Sequence, residues 1–168
     1  MAIQIKSLDQ LKLMRKAGLI VGQTLELMRE AITPGITTND LNQIAIKNLA
    51  ANGAKSNFLN YHGFPGVICA SVNDEVVHGI PNDRVINDGD IVSIDFGAII
   101  EGWHGDAAFS VIAGTKNLED QKLLDTCEES MWRGIAAGKS GAKLTDISYA
   151  IENYIHSQGK YGILREYG

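Results

Sequence analysis

Two aspartates, Asp95 and Asp106, lie in the part of the sequence whose residue types and spacing are best suited to chemistry. Both belong to the segment 90–112, where apolar and polar residues alternate with the period of two that is typical of β-strands. A tight turn around residues 100–102 predicts a hairpin in which Asp95 lies directly across from Asp106 on the polar face. Carboxylates at that range repel one another and need a shared proton, a basic side chain or a metal ion. A pair that can bridge two ions suits a dinuclear site, where the metals activate a water molecule.

Asp95 is the more informative of the two because it interrupts the apolar run IVSIDFGAII, in which a charge needs a partner. Gly97 and Gly105 on the same hairpin leave room for backbone or substrate to approach. The alternative is a solvated Asp106 at a sheet edge, with Asp95 balanced by an arginine elsewhere in the chain. A one-residue slip of the register would also separate the pair.

The sequence contains four histidines, which differ in how well they suit a role beside this pair. His104 lies two residues before Asp106 and is either a third ligand or a histidine at the rim of the site. His78 stands in the segment NDEVVHGIP, which predicts a constrained loop at a strand end. A histidine in such a loop could serve as a general acid or as an oxyanion donor. A structural role for a single loop histidine is the alternative. His62 stands among aromatic residues. His156 is predicted to face solvent on the last helix, and we expect no functional role for it.

Helices precede and follow the strands that must position these residues. Residues 7–10 form a capping-box pattern ahead of a helix that Pro34 and Gly35 end. Further helices are predicted over 38–52, 118–137 and 145–158. The segments 35–53 and 141–159 have equal length and are offset by 106 residues, with glycine at both ends of each. This pattern indicates an internal repeat whose second copy stops where its strands should begin; two unrelated helical hairpins are the alternative.

Composition argues against several classes of protein. The 168 residues are 45% hydrophobic and 21% charged, which suits a compact globular domain. A formal net charge of −5 disfavours a general nucleic-acid binder. We expect no membrane span, because no apolar run approaches the roughly 20 residues that a bilayer requires. The N-terminal residues also lack a secretion signal, and two cysteines fit a reducing cytosol.

Four motifs together resemble a known family. YHGFP at 61–65, NDEVVHGIP at 73–81, DIVSIDFGA at 90–98 and GWHGDAAF at 102–109 closely resemble type I methionine aminopeptidases, as does REYG at 165–168. The resemblance implies an α+β fold of the pita-bread (creatinase/aminopeptidase) type: two pseudo-symmetric halves around a curved antiparallel sheet that helices cover. It also implies a cytoplasmic metal-dependent hydrolase that removes the initiator methionine from nascent proteins whose second residue is small.

The resemblance implies roles for individual residues. Asp95 and Asp106 match two metal ligands for a pair of divalent ions, which would be Co, Mn, Fe or Zn. His78 matches the histidine that contacts the scissile amide nitrogen and assists its proton transfer. The positions that bind the methionine side chain are matched by residues of the segment 61–69, namely Tyr61, Phe64 and Cys69, with His62 in the same loop. Phe58 stands where some members have a small residue, and the resemblance does not make His104 a ligand.

The remaining ligands of the family, one histidine and two glutamates, belong to its second half and are absent from these 168 residues. We therefore expect residues 1–168 to form a single catalytic domain, truncated before the C-terminal ligands and inactive alone. The implied substrates are nascent polypeptide N-termini; the ribosome stays open as a partner, and no membrane or direct nucleic-acid readout is expected. The complete protein is expected to be monomeric. A proline-directed peptidase, a creatinase-like hydrolase and a non-catalytic peptide-binding module are the alternatives.

Overall fold

The structure, a computed structural model, describes residues 4–164. The chain divides into two compact units, Met1–Lys116 and Asn117–Gly168. The first unit contains the helices α1 (Leu8–Ala31) and α2 (Thr38–Ala51) and four strands, which are β1 (Lys55–Ser56), β2 (Ile68–Val72), β3 (Ile91–Ile100) and β4 (Trp103–Ile112). The second unit contains α3 (Leu118–Ala137) and α4 (Leu144–Gln158). The predicted single domain over residues 1–168 stays a prediction, and the REYG motif lies outside the described residues.

The helices of the first unit begin where the sequence predicts them. At the start of α1 the predicted capping box is present: the backbone N–H of Ser7 donates to the Gln10 side chain at 2.9 Å, and the reciprocal bond is 3.3 Å. At α2, Thr37 and Asp40 form the same arrangement. Each capping box satisfies backbone N–H groups that have no partner within the helix, which defines the first residue of each helix.

Strand β3 is the centre of a four-stranded antiparallel sheet. It pairs along one edge with β4 over the full length of both strands. Its other edge pairs with β2 and, further along, with the two residues of β1. Every residue of β2 is buried, whereas β4 is largely exposed or half-buried. The residues of β3 therefore have strand neighbours on both sides, and the side chains on one of its faces can meet those of two other strands.

The sheet has two faces, and the face that carries the apolar side chains of β3 packs against α1. Val92, Ile94, Phe96 and Ala98 of β3 are fully buried there, as the alternation of apolar and polar residues along this strand predicts. Helix and sheet approach closely at Gly105, where a Cβ atom would lie 2.8 Å from the backbone of Ala17. Burial of this apolar face leaves the polar side chains of β3 and β4 on the outer face.

The second unit is a pair of packed helices. Gly134 of α3 meets the side chain of Ile151 of α4, and Arg133 lies 4.1 Å above the ring of Tyr154. The start of α4 repeats that of α2: Asp146 accepts from the backbone of Lys143 at 2.8 Å, as Asp40 does from Thr37 at 2.9 Å.

The glycines that precede these two helices, Gly35 and Gly141, both adopt positive φ. The equal spacing of the two segments therefore reflects the same local structure. Within residues 4–164, the helices are too short or too polar to cross a membrane.

Candidate functional site

Asp95 and Asp106 lie on the same face of the β3–β4 hairpin, but not directly across from one another. Asp95 is opposite Ala108, and Asp106 is opposite Gly97. The predicted direct pairing is therefore wrong by two residues. A shift of two residues keeps every side chain on its face, so the two carboxylates remain diagonal neighbours. Diagonal neighbours lie roughly 7 Å apart, whereas directly opposed residues lie about 5 Å apart, so the two carboxylates are further from one another than predicted.

The turn of the hairpin accounts for the observed register. Strand pairing begins at Ile100 and Trp103, so the turn contains only Glu101 and Gly102. Both residues adopt positive φ, 52° for Glu101 and 80° for Gly102. Two central residues at positive φ form the tight turn whose twist matches the twist of paired strands. This two-residue turn replaces the predicted turn around residues 100–102.

The carboxyl group of Asp95 is held in an environment that disfavours its charge. Burial raises its pKa to about 6, and the charge of Asp106 adds to this effect. The electrostatic effect of His78 and the backbone hydrogen bond of Phe96 lower the pKa of Asp95 but do not cancel the rise. Within the described residues, the buried Oδ1 of Asp95 has no hydrogen-bond donor. A buried carboxylate oxygen without a donor costs free energy unless a proton or a cation binds to it.

Cys69 of β2 lies directly opposite Asp95. Its side chain is buried, and burial together with the charges of Asp95 and Asp106 raises the pKa of the thiol to about 11. The thiol is therefore neutral at physiological pH and a poor nucleophile, because thiolate is the reactive form. A neutral buried thiol is a small, soft group that packs like an apolar side chain.

Asp106 is exposed and contacts a residue that the sequence did not single out, Asn57. The Asn57 amide nitrogen lies 3.4 Å from Asp106 Oδ2 and 3.1 Å from the backbone oxygen of Gly105. The amide oxygen of Asn57 lies 3.2 Å from Nδ1 of His104. Asn57 therefore joins Asp106 and His104. No pattern in the sequence connects Asn57 to a hairpin that begins more than 30 residues later.

The loop that carries His78 is constrained, as predicted. His78 adopts a φ of 59°, which is uncommon for a residue with a side chain. The next residue, Gly79, donates its N–H to Ser71 Oγ at 3.1 Å and accepts from the N–H of Ala70 at 2.9 Å. These bonds tie the loop to β2 next to Cys69. His78 is thereby held near enough to Asp95 for its charge to affect that carboxylate.

Tyr61, His62 and Phe64 lie in the loop that leads into β2. His62 adopts a φ of 48°. Its ring packs edge-on against the ring of Tyr61, with 4.5 Å between the ring centroids. Tyr61 is exposed and Phe64 is half-buried. The structure thus brings Cys69 and His78 to Asp95, whereas these three residues stay on the neighbouring loop. Their predicted contact with substrate stays a prediction.

The two aspartates fit part of a site for divalent ions. Carboxylate oxygens are hard donors, and the unpaired buried oxygen of Asp95 is a position that a cation would satisfy. Over residues 4–164, however, the structure has no group of three or more His, Cys, Asp or Glu side chains that could hold a metal. Ligand number governs metal affinity, so Asp95 and Asp106 form only a partial set of donors.

Curated proteins similar to this chain are methionine aminopeptidases. Methionine aminopeptidase 1 of Bacillus subtilis (strain 168) is 45% identical over 162 residues, which cover 96% of this chain and 65% of that protein. Methionine aminopeptidase of Clostridium acetobutylicum is 43% identical over 98% of this chain and 66% of its own length. The chain therefore spans slightly less than two thirds of these two relatives.

Solved structures with the same fold include a methionine aminopeptidase and a prolidase. The crystal structure of methionine aminopeptidase from Rickettsia prowazekii matches with a TM-score of 0.89 at 37% identity, over 93% of this chain and 63% of that one. Prolidase from Pyrococcus furiosus matches with a TM-score of 0.82 at 21% identity, over 92% of this chain and 44% of that one. These likenesses confirm the predicted α+β fold of the pita-bread type.

A model of one protein family matches nearly the whole chain. It describes metallopeptidase family M24 and covers residues 12–167. The matched range contains both aspartates of the hairpin and the loop of His78. The chain therefore belongs to metallopeptidase family M24.

Proposed function

We propose that this chain supplies the N-terminal part of a metal-dependent methionyl aminopeptidase, which hydrolyses the bond after an N-terminal methionine. One observation carries the proposal: in a metallopeptidase fold, a buried oxygen of Asp95 lacks a hydrogen-bond donor among residues 4–164 and lies on the same face as a second carboxylate. The identity of 45% to methionine aminopeptidase 1 of Bacillus subtilis supports methionine as the residue removed.

Asp95 and Asp106 would hold two divalent ions together with donors that lie outside the described residues. Bound ions would supply Lewis-acid activation of a water molecule and of the peptide carbonyl. The carboxylates of this chain would balance the charge of the ions, and the cations would in turn remove the repulsion between the two carboxylates. The ions would be Co, Mn, Fe or Zn.

His78 would act on the leaving group. Hydrolysis adds water across the peptide bond, and the released nitrogen must gain a proton when the C–N bond breaks. A histidine can donate that proton at neutral pH because its ordinary pKa is about 6.5. The hydrogen bonds of Gly79 to β2 would keep the imidazole near the scissile nitrogen.

The loop 58–66 and the start of β2 would form the pocket for the methionine side chain. Cys69 would contribute a buried neutral thiol, and Tyr61, His62 and Phe64 would contribute rings from the adjacent loop. Thioethers pack favourably against sulfur and aromatic groups. The similarity to prolidase, at 21% identity, supports the shared fold but does not support a preference for proline.

We further propose that the 168 residues have no activity alone, because two carboxylates are too few donors for a stable dinuclear site. The substrates would be N-termini of new polypeptides with a small second residue, and the whole protein would be a cytoplasmic monomer. Two free cysteines agree with a reducing compartment.

A fusion chain tests these proposals. It joins residues 1–168 of this protein to the part of the Bacillus subtilis relative that follows the matched region. With Mn²⁺ or Co²⁺, we expect the fusion chain to release methionine from Met-Ala-Ser and residues 1–168 alone to release none. Asp95→Asn in the fusion chain should abolish release. Turnover by residues 1–168 alone, or cleavage of Xaa-Pro in preference to Met-Ala-Ser, would contradict the proposal.

A further inference from the structure

Asn57 lies over the position where β3 has no side chain. Its backbone N–H donates to the backbone oxygen of Gly97 at 3.1 Å. A Cβ atom on Gly97 would lie 2.7 Å from the Asn57 side-chain carbon Cγ and 2.7 Å from Asp106 Oδ2. Cβ atoms do not approach other heavy atoms that closely. The absence of a side chain at Gly97 therefore gives the Asn57 amide the space it needs to reach Asp106 from the strand opposite.

The hydrogen bonds of Asn57 determine which way its amide points. Its nitrogen faces two acceptors, the backbone oxygen of Gly105 at 3.1 Å and Asp106 Oδ2 at 3.4 Å. A flipped amide would direct its own oxygen at both of them, so the nitrogen must be the donor. The amide oxygen then faces Nδ1 of His104 at 3.2 Å, and this ring nitrogen must carry the proton.

Asp106 needs such a restraint more than Asp95 does. Asp95 lies on the central strand and is partly buried between β2 and β4. Asp106 is exposed on an outer strand, where a short side chain can rotate in water. Groups that hydrogen-bond to a metal ligand orient it and strengthen binding, although they never touch the ion themselves.

We propose that Asn57 is a positioning residue for Asp106, holding its carboxylate toward Asp95 through the amide nitrogen. The inference rests on the proposed function, because it assumes that the two carboxylates bind a cation together. Gly97 and His104 complete the arrangement: Gly97 provides the space, and His104 fixes the amide from its oxygen side.

Mn²⁺ binding by the 168-residue chain tests the inference without requiring activity. Mn²⁺ broadens the NMR signals of nuclei near the site where it binds, and the broadening as a function of Mn²⁺ concentration yields an apparent dissociation constant. Asn57→Leu keeps the size of the side chain and removes both amide groups. We expect this variant to bind Mn²⁺ about tenfold more weakly. Asn52→Ala is the matched control, because the Asn52 side chain bonds only to Asn48 in the part of the chain described, and it should bind like the wild type.

Gly97→Ala provides a second route to the same result if Asn57→Leu fails to fold. The added methyl group would displace the Asn57 amide while leaving the residue in place, and it would also lie 2.7 Å from Asp106 Oδ2, so Mn²⁺ binding should weaken at least as much. The double variant Gly97→Ala, Asn57→Leu should lose less Mn²⁺ affinity than the sum of the two single losses, because both changes remove the contact between Asn57 and Asp106. Equal Mn²⁺ binding by wild type and Asn57→Leu at equal melting temperature would overturn the inference.

Asp95→Asn separates this inference from the proposed function. If Asp95→Asn abolishes the broadening while Asn57→Leu leaves it unchanged, the metal site stands and the role of Asn57 is wrong. If Asp95→Asn leaves the broadening unchanged, the cation does not bind at this pair, and both proposals are wrong. Loss of binding in Asp95→Asn together with a tenfold loss in Asn57→Leu supports both.

Discussion

Gly97 lies directly opposite Asp106 in the β3–β4 pairing, and the side chain of Asn57 fills the space that the glycine leaves. On the outer face of the sheet, the Asn57 amide comes from the β1 edge of β3 and reaches across Gly97 to a carboxylate and a histidine of β4. The second carboxylate, Asp95, lies opposite a buried thiol of β2. The two aspartates thus have different surroundings: Asp95 is desolvated, whereas Asp106 is exposed and hydrogen-bonded. This difference leads to predictions that treat the two groups separately.

The charge of Asp95 should destabilise the metal-free chain. Its pKa rises from the ordinary 3.8 to about 6, so the folded chain binds this proton more tightly than the unfolded chain does. The stability that the protonated group contributes is present below about pH 4 and is lost as the pH rises through about 6. At pH 7, Asp95→Asn should therefore raise the free energy of unfolding by about 2 kcal/mol relative to wild type, with little difference at pH 4. Urea unfolding of wild type and Asp95→Asn at pH 4, 5, 6 and 7 measures the difference in free energy of unfolding at each pH.

Asp40→Asn is the control for this experiment because its sign is opposite. The side-chain and backbone hydrogen bonds of Thr37 lower the pKa of Asp40. Its contribution to stability is therefore present at neutral pH and is lost as the pH falls through the lowered value. The difference between wild type and Asp40→Asn should shrink toward low pH. A difference between wild type and Asp95→Asn that does not change with pH would contradict the proposed environment of Asp95.

The two cysteines should react at different rates. Cys69 is buried and has a pKa near 11, because of burial and the neighbouring carboxylates, whereas Cys127 on α3 is exposed. Alkylation by iodoacetamide at pH 8 should modify Cys69 at least about tenfold more slowly than Cys127, as peptide mass spectrometry would measure. In denaturant the two rates should converge. Equal rates in the folded chain would show that Cys69 is accessible and would contradict its burial in β2.

Gly79→Ala should displace the loop of His78. A Cβ atom at this position would overlap the backbone of Ala70 and would lie 2.9 Å from the Cα atom of Ser71. Backbone atoms within a buried strand cannot move aside, so we expect a loss of about 2 kcal/mol in the free energy of unfolding. Gly22→Ala is the matched control: it lies within α1, with no atom within 4 Å of the added methyl group. It should stabilise the chain by about 1 kcal/mol, because alanine favours helices.

His78→Ala should reduce turnover by the fusion chain without preventing binding. If His78 gives the leaving nitrogen its proton, kcat for Met-Ala-Ser should fall by about 10²- to 10⁴-fold, with a smaller change in KM. His78→Gln, which can donate a hydrogen bond but cannot transfer a proton, should recover little of the loss. His156→Ala, an exposed position on α4, should leave kcat unchanged. A change confined to KM would instead assign His78 to substrate binding.

Much of the architecture could be predicted from local patterns. The capping box of Ser7 and Gln10, the helix over Leu118–Ala137 and the apolar face of the hairpin are all confirmed. Each depends on interactions between residues close in the sequence or on the alternation of side chains along a strand. The motifs also indicated the family, because four of them occur in order at matching spacing.

By itself, the sequence determined that Asp95 and Asp106 share one face of a hairpin, because strand side chains alternate with a period of two and a shift of two residues does not change the face. Only the tertiary structure decided that they are diagonal neighbours, since the register depends on the backbone of Glu101 and Gly102 in the turn. Only the tertiary structure brought Asn57 to Asp106. That contact depends on how the chain before β2 packs along β3, which no local pattern of residues encodes.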